Sequence, residues 1–111
     1  MTIDVKEQDG VVIIALSGKI MGGPEAGQLN DQINRLIDEH KTRIVIDLGG
    51  VEWMNSSGLG ILIGTVTTLK NNDGQLVLTH VSERIYNLLK ITKLLSVFTL
   101  AENLDDALQK F

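Results

Sequence analysis

The chain has 111 residues, of which 43% are apolar, 22% charged and 4% aromatic, with one proline and no cysteine. That length is one domain's worth and argues against an enzyme with a cleft between two lobes, while the aliphatic composition fits one compact soluble core. The missing cysteines exclude disulfides, thiolate metal sites and cysteine nucleophiles, and a net charge of −4 gives no electrostatic footprint for nucleic acid or an anionic membrane surface.

The opening MTIDVKEQDG carries acids and no apolar run, so neither a secretory signal nor direct membrane insertion is expected and the chain reads as cytoplasmic. Thr2 to Glu7 and Val11 to Leu16 flank Gln8-Asp9-Gly10, whose Asp-Gly pair tolerates positive φ, and predict a β-hairpin. Lys19 to Gly23 reads as irregular after a strand ending at Gly18. Pro24 then sits where a missing N–H is harmless, in the first turn of a helix. Ala26, Leu29, Ile33, Leu36 and Ile37 follow on one face, and Asp31 and Arg35 are spaced for an i,i+4 ion pair. RIVIDL, Arg43 to Leu48, has the apolar β-branched character of a strand buried on both faces, and Gly49-Gly50 is expected to end it.

Val51 to Met54 reads as a loop leading to Asn55-Ser56-Ser57. From Gly58, the residues Leu59, Leu62, Ile63, Val66 and Leu69 predict a second helix to about Lys70, stopped by Asn71-Asn72-Asp73-Gly74. Gln75 to His80 is a third central strand. Ser82 is a suitable N-cap for a helix turning Ile85, Leu88 and Leu89 inward; Val97 to Leu100 forms a short last strand; Leu104, Ala107, Leu108 and Phe111 mark a closing helix. The order β-β-α-β-α-β-α-β-α predicts an α/β fold: a single domain over 1–111 with a mixed, mostly parallel central sheet, an N-terminal antiparallel hairpin strand and about four covering helices. Such sheets carry their working groups beyond the carboxyl ends of the strands, which selects two loops, Gly18 to Pro24 and Gly49 to Gly58.

Met54-Asn55-Ser56-Ser57-Gly58-Leu59-Gly60 follows a buried strand and opens a helix, where backbone N–H groups lack intrahelical partners. One reading is structural: Asn55 or a serine caps the helix and the glycines permit close packing against the sheet. The other is a modification site, because a phosphoserine there meets the positive end of the helix dipole and free donors without disturbing the fold.

Residues 44 to 64, IVIDLGGVEWMNSSGLGILIG, resemble the signature of the STAS domain, specifically of bacterial anti-sigma factor antagonists, and the whole chain matches that family in length and element order. The resemblance implies that Ser56 is phosphorylated by a partner anti-sigma factor serine kinase of histidine-kinase-like ATPase fold. It further implies that the unphosphorylated form binds this kinase and releases the sigma factor, and that a PPM-type serine phosphatase restores it. The implied contact surface comprises Met21, Gly22 and Gly23 with Trp53, Met54, Asn55, Ser56, Ser57, Gly58 and Gly60. No catalytic residue, metal or cofactor is implied. The family usually has an acid where this chain has Asn55; the two are comparable as caps but differ in charge. Trp53, the single tryptophan, is open to two roles, partner anchor or half-buried packing. An alternative function is that of a STAS accessory subunit in a lipid or anion transport complex, using the same surface without a phospho-switch.

Other chemistries find little support. Gly58-x-Gly60-x-x-x-Gly64 superficially resembles a dinucleotide loop, but six predicted loop residues separate the strand end at Leu48 from Asn55, and the strand at Gln75 to His80 supplies no acidic ribose partner. A hydrolase would need His40, His80 or Asp47 beside a serine, yet there is no G-x-S-x-G elbow, and each histidine reads as solvated or capping. Asp47 has no acidic pair for a Mg²⁺-dependent receiver, since Asp4 stands alone. Glu102, Asp105 and Asp106 read as a solvated helix face, with Asp106 and Lys110 spaced for another ion pair.

Overall fold

The computed structural model describes residues 1–111. Its elements are β1 (Thr2–Gln8), β2 (Val11–Ile20), α1 (Pro24–Asp38), β3 (Arg43–Met54), α2 (Ser56–Asn71), β4 (Gln75–Thr79), α3 (Glu83–Ile91), a 3₁₀ turn (Leu95–Val97), β5 (Thr99–Ala101) and α4 (Leu104–Leu108). The five strands lie in sequence order, β1 antiparallel to β2 and the rest parallel. Because each parallel crossover is right-handed and moves one strand further in the same direction, α1, α2 and α3 fall on one face of the sheet. α4 is left to cover the other.

The strand alternation divides the core accordingly. Val12, Ile14, Leu16, Ile44, Ile46, Leu76 and Leu78 point to the three-helix face, where they bury against Leu29, Ile33, Leu62, Leu69, Ile85 and Leu89. Val11, Ile13, Val45 and Val77 point the opposite way and bury under Ala107, with Leu104, Leu108 and Phe111 around them. The helical faces expected from the three- and four-residue spacing are the buried ones, with Ala26, Ile37, Ile63, Leu88, Leu104 and Leu108 only half-buried at the margins, while the closing helix ends at Leu108, short of Phe111.

Several boundaries differ from the sequence reading, and the largest difference concerns β3. Gly49-Gly50 does not end the strand, which runs 12 residues from Arg43 to Met54, while β2 continues through the supposedly irregular Lys19 to Ile20. The pairing Ala15↔Asp47 is followed by Ser17↔Gly50, and Gly18↔Val51 by Lys19↔Trp53, so β3 carries one extra residue at each of two bulges. Glycine suits that first bulge because a Cβ on Gly50 would come within 2.9 Å of the Ser17 Cβ. The six-residue loop invoked against a dinucleotide site is therefore strand.

α2 begins at Ser56 rather than Gly58, and β4 ends at Thr79, with His80 at φ 53° turning the chain away. Val97 lies in the 3₁₀ turn and the last strand is displaced to Thr99–Ala101. The expected Asp31–Arg35 and Asp106–Lys110 ion pairs do not form. Asp106 instead accepts a hydrogen bond from the Glu102 backbone N–H at 3.1 Å, fastening the chain where it enters α4.

Candidate functional site

The carboxyl ends of β2 and β3 bring the two selected loops together at the first turn of α2. Asn55 is extended (φ −105°, ψ −176°) and its side-chain oxygen accepts from the Gly58 N–H at 2.7 Å, so Asn55 is the cap and Ser56 is not. The Leu59 N–H bonds to the Asn55 carbonyl at 2.9 Å. That leaves the N–H groups of Ser56 and Ser57 without partners inside the helix. Ser56 is exposed, and its hydroxyl holds no structural hydrogen bond that a modification would break.

The helix start is held against β2 from beneath. The Asn55 N–H reaches the Ile20 carbonyl at 3.4 Å, and a Cβ on Gly58 would run into that same carbonyl. Gly22, at φ 90°, lies so close that a Cβ there would be 2.9 Å from the Ser57 Cβ. The turn Met21-Gly22-Gly23 and the Ser56 turn thus form one continuous ledge, with Met21 and Trp53 exposed at its edge (43% and 37%). Met54 and Gly58 are buried and support the ledge from below.

Close packing explains only one of the helix glycines. Gly60 and Gly64 in α2, and Gly27 in α1, have nothing within 4 Å of the position a Cβ would take. The expectation that these small residues let α2 approach the sheet holds for Gly58 alone. Gly27, Gly60 and Gly64 instead line a shallow groove of about 280 Å³ between the two helices, with Ala26 and Asn30 at its side.

One polar pair was not foreseen. His80 Nδ1 lies 2.9 Å from Asp47 Oδ1, which also accepts from the Gly49 N–H at 2.8 Å. Both residues are among the sequence's candidates for a base and an orienting acid, but their meeting follows from a register, Asp47↔Thr79, that composition and periodicity do not encode. No serine hydroxyl bonds to this pair, so it makes no hydrolase triad, and no group of three or more His, Asp or Glu side chains comes together that could hold a metal ion.

With this geometry in hand, comparison with known proteins defines the class. The STAS domain model matches residues 2–107, and the chain belongs to that family. Among its relatives, the anti-sigma-B factor antagonist of Bacillus subtilis is 28% identical over 109 residues, covering 98% of each chain. An anti-sigma factor antagonist structure from Mycobacterium paratuberculosis is 33% identical with a TM-score of 0.77, over 98% of this chain and 92% of that one. The Bacillus cell fate determinant SpoIIAA in its phosphorylated form shares 20% identity and a TM-score of 0.74, over 98% of both chains. Its unphosphorylated form matches equally well, at 0.74 over 98% of this chain and 96% of that one. At that identity the likeness is one of fold. No helix here is long and apolar enough to cross a membrane.

Proposed function

We propose that this protein is an anti-sigma factor antagonist: it binds an anti-sigma factor through the ledge around Ser56 and thereby frees a sigma factor. The antagonist names of its relatives support that general role. The finer reading is that the anti-sigma factor is a serine kinase that phosphorylates Ser56, that the phosphate ends the complex, and that a PPM-type phosphatase reverses the mark. In this reading the chain is acted upon and has no catalysis of its own.

The observation that carries the proposal is an exposed serine on a rigid helix start whose capping is done by its neighbour. Because Asn55 satisfies the Gly58 N–H, a phosphate on Ser56 displaces no hydrogen bond. It also faces the positive end of the α2 dipole. The same dianion, pressed into a partner surface built for a neutral hydroxyl, meets a desolvation penalty of several kcal/mol. About 4 kcal/mol is a thousandfold in Kd, enough for a switch without refolding. The close likeness of the fold to SpoIIAA in both phosphorylation states is compatible with a mark that acts at the surface.

Incubation with the cognate anti-sigma factor kinase and ATP, followed by intact mass and site mapping, tests the reading. One phosphate on Ser56 is expected. If the wild type gains none while the Asn55→Asp variant does, the chain is not a substrate and the phospho-switch fails. A constitutive subunit of a transport complex would bind its partner equally well as wild type and as Ser56→Asp, whereas the switch requires Ser56→Asp to bind far more weakly at an unchanged Tm.

A further inference from the structure

The sheet ends in two outer strands. β5 is only 3 residues long, whereas β1 runs for 7, with no proline and no break in its register against β2. An outer strand of this kind presents a row of backbone donors and acceptors to which another chain can pair. The hairpin decides which residues carry them. Asp9 and Gly10 both have positive φ (54° and 78°), as a two-residue type I′ loop requires, so Gln8 and Val11 are a hydrogen-bonded pair. Alternation from that pair turns the N–H and C=O groups of Lys6, Asp4 and Thr2 toward β2 and those of Glu7, Val5 and Ile3 outward. None of the backbone bonds outside the regular elements involves β1, and all its residues except Ile3 are exposed.

Charge then selects both partner and register. A second copy of β1 laid antiparallel along the first must set outward residues against outward residues, so the two-fold axis passes through a residue. Centred on Val5, every position of the strand is matched: Val5 faces Val5, Asp4 faces Lys6, Ile3 faces Glu7, and Thr2 faces Gln8 at the ends. The crossings of Asp4 with Lys6 are of the non-hydrogen-bonded kind, where opposing side chains come closest and opposite charges attract. Both side chains are exposed and neither is engaged within its own chain, the ion pairs present being Met1 with Glu25, Lys41 with Glu7 and His80 with Asp47. Moving the centre by one residue sets Asp4 against Asp4 or Lys6 against Lys6, which is destabilising, and shortens the paired stretch. Larger shifts leave most of the strand unpaired.

We infer that β1 is a self-association edge: two copies of this chain join antiparallel through it, centred on Val5, and one sheet runs through both. Val5 lies opposite Ile14, so the two Val5 side chains meet on the face that carries α1, α2 and α3. Asp4 and Lys6 lie opposite Ala15 and Ile13, so the charged crossings form on the α4 face. Because the strands of the two copies run in opposite directions, the carboxyl ends of β2 and β3 point away from each other, and each Ser56 ledge stays open to a partner. Such pairing needs no anti-sigma factor and leaves the proposed function as it stands. One strand from each copy makes a small interface, so the dimer is weak and reversible.

Sedimentation equilibrium of the purified chain from micromolar to millimolar concentration, at low salt, tests this together with amide hydrogen exchange read by NMR. Wild type should pass from monomer to dimer, with the amides of Ile3, Val5 and Glu7 becoming slower to exchange as the dimer fills while those of β5 do not change. Asp4→Lys and Lys6→Asp each set like charges at both crossings and should weaken the dimer by about tenfold or more at a Tm close to wild type, since both side chains are exposed. Mixed in equal amounts, the two variants bring opposite charges together again and should form a heterodimer about as tight as the wild-type dimer, which a folding defect in either variant could not produce. A wild-type chain that stays monomeric at millimolar concentration overturns the assignment. So does a dimer that both substitutions leave within twofold of wild type, a mixture in which the two variants do not pair, or an assembly that grows beyond two copies.

Discussion

Gly58 and Gly60 are two residues apart in one helix, and alanine at each should have opposite effects. Alanine is about 1 kcal/mol better than glycine in a helix interior. At Gly60 nothing opposes that gain, because a Cβ would meet no atom within 4 Å. For 111 residues the unfolding entropy is about 0.23 kcal/mol/K, so Gly60→Ala should raise Tm by roughly 4 °C. At Gly58 the added Cβ strikes the Ile20 carbonyl, a backbone atom held in the sheet, and overpacking of this kind costs about 3 kcal/mol, or about 2 kcal/mol net of the helix gain. Gly58→Ala should therefore lower Tm by roughly 10 °C. Thermal unfolding followed by circular dichroism reads both shifts, and titration with the anti-sigma factor reads their counterpart. Gly60→Ala should bind less well despite its greater stability, since its methyl group fills the groove beside Ser56. A Gly60→Ala protein that melts below wild type would refute the reasoning, because the glycine would then serve packing within the chain. So would one that binds the anti-sigma factor with unchanged affinity, since the helix would then carry a glycine with no use on either side.

Substitutions at Asn55, Asp47 and His80 probe the bonds at the carboxyl ends of β3 and β4. Asn55→Ala removes the cap on α2 and should lower stability by about 1 kcal/mol, whereas Asn55→Asp should retain it; urea unfolding distinguishes them, and equal losses would mean that the bond to the Gly58 N–H contributes nothing. Asp47→Ala strips the bonds to both Gly49 and His80 and should cost about 1–2 kcal/mol, while His80→Ala, which ends only the exposed pairing, should cost about 1 kcal/mol or less. A larger loss from His80→Ala than from Asp47→Ala would place the weight on the imidazole instead of the Gly49 N–H.

Much of the architecture was legible because it rests on local patterns. The apolar steps of α1 and α2, the Asp-Gly turn, Pro24 at a helix start and Ser82 as a cap are short-range signals, and each lies where the sequence placed it. What escaped depended on neighbours distant in the chain. Gly49-Gly50 has the composition of a break, yet it continues a strand because β2 runs alongside and the two bulges absorb the surplus residues. The motif glycines are alike in sequence and differ only in what stands opposite: the Ile20 carbonyl for Gly58, open space for Gly60 and Gly64. The ledge itself was half legible. Its members could be named from the strand-to-helix junctions, but the burial of Met54 follows from where α3 lies.

The sequential strand order has a consequence for how the chain is assembled. No strand has to be inserted between two already in place, so the hairpin of β1 and β2 can accept β3, then β4, then β5, each bringing its helix to the same face as it arrives. Synthesis delivers the chain from its N-terminal end, and this topology permits growth by accretion with no rearrangement of what has already formed. The exception is the opposite face, where Ile13, Val45 and Val77 stay uncovered until residues 104–111 are made. Synthesis halted just before α4 would leave a nearly finished sheet with one greasy side, and residues 104–111 act as the seal that closes it.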